Sequence, residues 1–276
     1  MDQLMDKVGG QGLYQWYAFM VFNAHWFVLG WFLLGIGFYF EAKPFDCKAV
    51  GVDYDEAACQ EFVCTLSEGD WKHFLPNPPN TMAYEWPEYW MVCSNEYIKS
   101  ILQSLIALGS CIGFFIFPYY ADNKGRKITM VVAWGFFTVG VVFTALANGP
   151  WMAGIGQFLM GFGGNAAITL DFSFINEQCS GKARQYFSIG VQMFFAISEC
   201  LVGYVLYWMQ NWRYTVYIML GATVLVNISH YFLIETPKYM MSKDLPKTVE
   251  LFNRIAKINK RPEVTYDEVL EVYEKE

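Results

Sequence analysis

The sequence predicts an all-α membrane protein: six transmembrane helices, a large cysteine-containing outer loop and an amphipathic C-terminal tail. Three observations predict it. Of 276 residues, 55% are hydrophobic and only 16% charged, whereas soluble domains carry roughly 25% charged residues. Mean hydropathy is positive, at +0.23. Six apolar runs approach or exceed the ~20 residues that a helix needs to cross a bilayer.

The runs lie near 16–40, 99–121, 128–147, 150–171, 186–208 and 213–234. They divide the chain into an N-terminal segment with the first span (1–40), an extramembrane loop (41–98), spans two to six (99–234) and an inner-face helical tail (235–276). Glycines punctuate the runs, as at Gly30, Gly35, Gly161, Gly163 and Gly164. In lipid, small residues let helix backbones approach, so these mark packing faces. Trp16, Tyr17, Trp151, Tyr207, Trp208 and Trp212 crowd the run ends, where amphipathic rings favour the interface. The segment before the first span has Lys7 against Asp2 and Asp6 and no small-residue cleavage site, so it does not read as a cleaved signal.

Lysine and arginine set the orientation. The loop at 122–127 carries Lys124, Arg126 and Lys127, the next loop on that side Lys182 and Arg184, and the tail adds eight more. The opposite side has Arg213 in its last loop and, in loop 41–98, three lysines (Lys43, Lys48, Lys72) against eleven acids. The positive-inside rule then puts both termini on the cytosolic or matrix side.

Loop 41–98 holds Cys47, Cys59, Cys64 and Cys93. An even set in one loop on the non-cytosolic face predicts two disulfides, with three pairings open. A metal site is not expected, because the loop has no C-x-x-C and His73 is its only histidine. The tail shows Val249, Phe252, Ile255 and Ala256 at helical spacing behind Pro246, which predicts an amphipathic helix on the inner face. A second short helix is expected near 266–273.

Polar residues inside spans are functional candidates because lipid penalises them. Asn23 and His25 fall on the first span, Gln157 on the fourth and Glu199 on the fifth. For Glu199 a functional acid and a hydrogen-bonded helix contact weigh equally, and His25 reads first as a structural hydrogen-bond donor. Asn227 and His230 are expected to be solvated at the inner end of the sixth span. Asp171 is expected to close the fourth span and to pair with Lys182 or Arg184.

Several function classes drop out. The net charge of -7 and the lack of a basic cluster argue against nucleic acid. No phosphate-binding loop, nucleophile elbow or metal-ligand spacing supports an enzyme. No cofactor is implied, although bound lipids remain open.

The motifs carry a family resemblance. The stretch "FPYYADNKGRK" resembles the inner-loop signature G-x-x-x-D-R-x-G-R-[RK] of the major facilitator superfamily. It retains Asp122, Gly125, Arg126 and Lys127, but has Pro118 at the leading glycine and Asn123 at the first arginine. "LMDKVGGQGLYQ", "YEWPEYWMVCSN", "GQFLMGFGGNA", "NEQCSGKAR" (Glu177 and Arg184), "NWRYTVY" and "IETPKYMMSKDLPKTVELFNRIAKINKR" resemble, in order, segments of the organic cation/anion transporter family within it. The family's fourth-span arginine is Gln157 here.

That resemblance implies the N-terminal six-helix half of a twelve-span fold whose halves rock about a midplane substrate site. The sequence given ends at Glu276, within the loop that would lead to a seventh span. The resulting expectation is a chain without the second half: a non-transporting structural or accessory subunit of a larger membrane complex. Its partners would be other membrane protein chains and lipids. On this expectation Asn23, His25, Gln157 and Glu199 meet a protein or lipid-headgroup contact. The alternative is a half-size organic-ion transporter, active as a homodimer or with a separate second-half chain, and only then is a small organic ion the substrate. Loop 41–98 has no N-x-[ST] acceptor. This leaves the mitochondrial inner membrane, with an energy-converting complex as host, and the plasma membrane both open.

Overall fold

The computed structural model describes residues 2–42, 44–48, 51, 55–67, 70–74 and 81–275. Lys43 and the side chains of Lys72 and Lys182 lie outside what is described. The described helices longer than one turn are α1 (Asp2–Val8), α2 (Leu13–Tyr39), α3 (Glu56–Thr65), α4 (Glu96–Lys124), α5 (Arg126–Ala145), α6 (Pro150–Gln178), α7 (Gly181–Met209), α8 (Trp212–Ser229), α9 (Pro237–Met241), α10 (Leu245–Asn259) and α11 (Tyr266–Lys275). Among the described residues six helices, α2 and α4 to α8, are long and apolar enough to span a membrane.

Local chemistry marks several helix boundaries. Gly125 takes φ 110 between α4 and α5, a left-handed turn that glycine adopts without a Cβ penalty. Pro150 opens α6, where a missing N–H costs nothing. Asp55, Asn211 and Asp244 cap α3, α8 and α10 by accepting backbone N–H bonds.

The bundle is organised around α6 and α2. α6 packs along α4 and α5, α2 packs along α7, and α8 lies beside α2 and α5. Glycine makes the α4–α6 contact close. A Cβ on Gly109 would stand 2.2 Å from the Phe158 carbonyl oxygen, and one on Gly161 2.2 Å from that of Ile106. Nothing larger fits where two helix backbones touch.

α6 runs one to two turns beyond the predicted end at Asp171 and stops at Gln178. Asp171 is no boundary because it is not solvated: its carboxylate is fully buried and accepts a hydrogen bond from, or shares a proton with, His25 of α2. The expected partner Arg184 is instead bound to Asp2 and to the Cys179 carbonyl.

The outer loop is tied together by disulfides Cys47–Cys59 and Cys64–Cys93. Its aromatic core includes Trp71, Tyr84, Trp86 and Trp90. Arg213, in the first turn of α8, fastens it to the bundle. Its guanidinium donates to Glu85 at 2.9 Å and to the Ala145 and Ala147 carbonyls at 2.9 and 2.8 Å.

At the other end the two termini meet. Leu4, Met5, Val8 and Tyr14 pack with Phe252, Ile255, Ala256, Val264 and Val269 in a second core. The apolar stripe of α10 thus faces the protein's own N-terminal segment. Asn259 links them: its Nδ2 donates to Val8, Gly9 and Gln15, and its Oδ1 accepts from Tyr14 N. Lys7 adds a bond to Glu268 at 2.6 Å.

Candidate functional site

Three features of the bundle bear on function: a charge network at the inner end, a polar cluster in the core and an apolar wall. The network starts at Gly125. The turn there exposes the first amides of α5, whose N–H groups have no intrahelical partner. Glu235 meets them, accepting from Arg126 N at 3.1 Å, from Lys127 N at 3.1 and 3.2 Å, and from Thr236 N at 3.0 Å. Burial pushes the Glu235 carboxyl above its usual value, while these N–H bonds pull it back.

The neighbouring side chains complete the network. Arg126 Nε lies 2.9 Å from Glu177 Oε2 at the end of α6, and Arg126 Nη2 lies 3.8 Å from Asp122. Lys127 Nζ reaches the Leu233 carbonyl at 2.5 Å, at the inner end of α8. Glu177 and Arg184 do not pair with each other; Arg184 holds Asp2 at 2.8 Å, and Ser180 bonds Asp6. Asn123 bonds within its own helix, to Tyr119 O, and its carbonyl accepts from Tyr239 OH. Pro118 sits inside α4. A cleft of about 740 Å³ opens here, lined by Asp2, Arg126, Glu177, Arg184 and Lys238 among others.

The core cluster was not legible as a unit. Asn23, His25 and Gln157 are all buried inside this bundle. Asn23 Nδ2 donates to Phe19 O, one turn back. His25 Nδ1 lies 2.8 Å from Asp171 Oδ2, and its ring stacks on His230 at 4.6 Å between centroids. His230 is thus buried, not solvated as expected, because its turn folds it beneath α8 against α2. Asn227 is likewise engaged, donating to Thr138 and to Thr223 O. Both amide atoms of Gln157 are buried without a hydrogen-bond partner.

The wall consists of the unpacked faces of α4 and α7. α4 exposes Ile101, Leu108, Ile112 and Phe115, and α7 exposes Ile189, Met193, Ile197, Leu201 and Tyr204. Glu199, half-buried, is an acid at membrane depth on α7, beside buried Ser198 and away from the exposed stripe. Cys111 and Cys200 are exposed thiols on the same two helices. Among the described residues no group of His, Cys, Asp and Glu is placed to hold a metal ion.

Comparison with known proteins matches the chain to one family. The family model described as "Sugar (and other) transporter" matches residues 54–275. Solute carrier family 22 member 3 of Mus musculus is 26% identical over 195 residues, covering 69% of this chain and 34% of that protein. Solute carrier family 22 member 2 of Homo sapiens is 23% identical over 231 residues, covering 79% of this chain and 41% of that protein. The chain therefore spans well under half the length of these relatives. In fold it resembles the xylose transporter XylE from E. coli in a partially occluded inward-open conformation. The TM-score is 0.63 at 15% identity, over 95% of this chain and 58% of that one.

Proposed function

The chain belongs to the sugar (and other) transporter family, and on that premise we propose that it acts as a structural, non-transporting six-helix unit within a larger membrane assembly. One observation carries this reading: the polar residues available for a transport pathway are spent inside the bundle. Asn23, His25 and Gln157 are buried, and the outward faces of α4 and α7, like those of α5 and α8, are mainly apolar. Such a wall suits a permanent contact with other membrane chains and lipids. An organic ion would require charges facing a cavity. Pro118, Asn123 and Gln157, in place of the family's glycine and arginines, point the same way.

The second reading is an organic-ion transporter in which this chain supplies one half of the pathway, through a second copy or another six-helix unit. Glu199 favours it, being a half-buried acid at membrane depth on α7, the residue type that a small organic cation would meet. The solute-carrier relatives support this reading equally.

Native size in mild detergent, together with uptake of tetraethylammonium into vesicles, separates the two. A stable hetero-complex and no uptake, unchanged in the Pro118→Gly/Asn123→Arg double variant, fits the structural unit. Uptake abolished by Glu199→Gln overturns it.

Both termini lie at one end of the bundle. The lysines and arginines gathered there support a cytosolic or matrix orientation for that end. The outer loop has no N-x-[ST] acceptor, which suits the mitochondrial inner membrane, with an energy-converting complex as host, as one of two candidate compartments. The plasma membrane of the solute-carrier relatives is the other candidate.

A further inference from the structure

We propose that Asp171, His25 and His230 form a proton-binding site in the bundle core, loaded and unloaded from the inner face through His230. Three helical elements that are distant in sequence bring these side chains together. Asp171 comes from α6, His25 from α2, and His230 from the 3-10 turn His230–Phe232 that ends α8. The Asp171 and His25 side chains are fully buried and joined at 2.8 Å. The His25 ring faces His230 at 4.6 Å and Trp134 at 4.6 Å.

The argument begins with charge. An ionised carboxylate in a dry, membrane-depth core needs a cation beside it. Among the described side chains no lysine or arginine forms an ion pair with Asp171; the bond to His25 fills that place. With one proton on the pair, it is either carboxylate with imidazolium or carboxylic acid with imidazole. Both forms are neutral. Losing that proton leaves an uncompensated anion, and gaining a second leaves a cation, so the pair favours one proton.

The remaining atoms supply a route. His25 Nε2 and both ring nitrogens of His230 are buried without hydrogen-bond partners. His230 begins the turn whose end is held by Lys127, through the Tyr231 and Leu233 carbonyls. The proton passes from inner-face water to His230 and, because the rings are stacked without a hydrogen bond between them, a turn of the His230 ring or a bridging water then delivers it to His25 Nε2. As it arrives, the Nδ1–H of His25 moves to Asp171 Oδ2. One proton is taken up, one carboxylate becomes a carboxylic acid, and both imidazoles end neutral. Release is the reverse. The charged and titratable groups around the route are Lys127 on α5, Glu177 on α6 and Glu235 after α8. Arg126 balances Glu177.

The test uses the whole chain in vesicles sorted for one orientation. Infrared difference spectra should show a coupled carboxyl and imidazole change when pH is stepped on the inner side, and none when it is stepped on the outer side. Asp171→Asn should remove the carboxyl component. Nitrogen-15 histidine spectra, with exposed His73 as reference, should show His25 proton exchange with water slowed at least about tenfold by His230→Phe, since the histidine ring is the carrier. A response from the outer side, no response from either side, or unchanged His25 exchange in His230→Phe would overturn the proposal. The sidedness experiment needs no variant, so a misfolded mutant cannot rescue the idea.

Discussion

Arg126 Nε and Glu177 Oε2 meet at 2.9 Å, joining the first turn of α5 to the last turn of α6. Both side chains are mostly buried, at 21% and 11% exposure. Removing the acid leaves Arg126 with only the 3.8 Å contact to Asp122. Breaking a buried pair costs about 3–5 kcal/mol, and the partial exposure here lowers that to about 2 kcal/mol for Glu177→Ala. Glu177→Gln should cost about half as much, because the amide oxygen keeps a negative dipole against the guanidinium and fills the same volume. Thermal unfolding in detergent measures both. Equal melting of wild type and Glu177→Ala would show that the contact contributes nothing.

Glu235 gives a pH dependence with a definite sign. Burial raises its folded carboxyl above the 4.5 of the free side chain. The folded state therefore holds the proton more tightly than the unfolded state does. Its contribution is full below 4.5 and is lost as pH rises through the raised value. Glu235→Gln cannot titrate. The stability of wild type relative to Glu235→Gln should therefore fall as pH rises across that window, measured by denaturation at each pH. A difference that grows with pH would contradict the burial argument.

The outer loop fixes which cysteines are bonded. Non-reducing digestion should yield the pairs Cys47–Cys59 and Cys64–Cys93. Cys111, Cys179 and Cys200 should be free, with Cys179 the slowest to alkylate because burial pushes its thiol up to about 12. Opening the longer bridge, Cys64–Cys93, should cost about 3 kcal/mol of loop stability. Any crossed pairing found by mass spectrometry would require the loop to be folded differently.

The spans were legible because lipid solvent leaves one solution for an apolar run of this length: a helix that satisfies its own backbone. The amphipathic stripe of α10 was legible for the same kind of reason, from spacing alone. Its partner was not, since nothing in Phe252 or Ile255 names Leu4 or Met5 as the surface they cover. The core cluster was hidden more deeply. Asp171 looked like a span end and His230 like an interfacial residue when each was judged by its neighbours in sequence. Only the crossing of α2, α6 and α8 turns them toward His25. Glu235 escaped notice because its task, capping α5, is fulfilled across the whole length of the chain between them.

Helix contact in this bundle should depend on glycine at some positions and ignore it at others. At Gly161 an added Cβ would press to 2.2 Å from the Ile106 carbonyl oxygen, which is backbone and cannot turn aside. Gly109 meets the Phe158 carbonyl from the opposite helix in the same way. Alanine at either position must push α4 and α6 apart along their shared length. Overpacking of this kind costs about 1–3 kcal/mol, and the rigid obstacle puts Gly161→Ala near the upper end. Gly221 on α8 supplies the control, because a Cβ there meets nothing within 4 Å. Gly221→Ala should be neutral or slightly stabilising, by up to about 1 kcal/mol, since alanine loses less backbone freedom in a helix. Paired melts in one detergent decide the matter. If Gly161→Ala and Gly221→Ala unfold together, α4 and α6 do not pack through their glycines, and the α4 face of the wall would have to be redrawn.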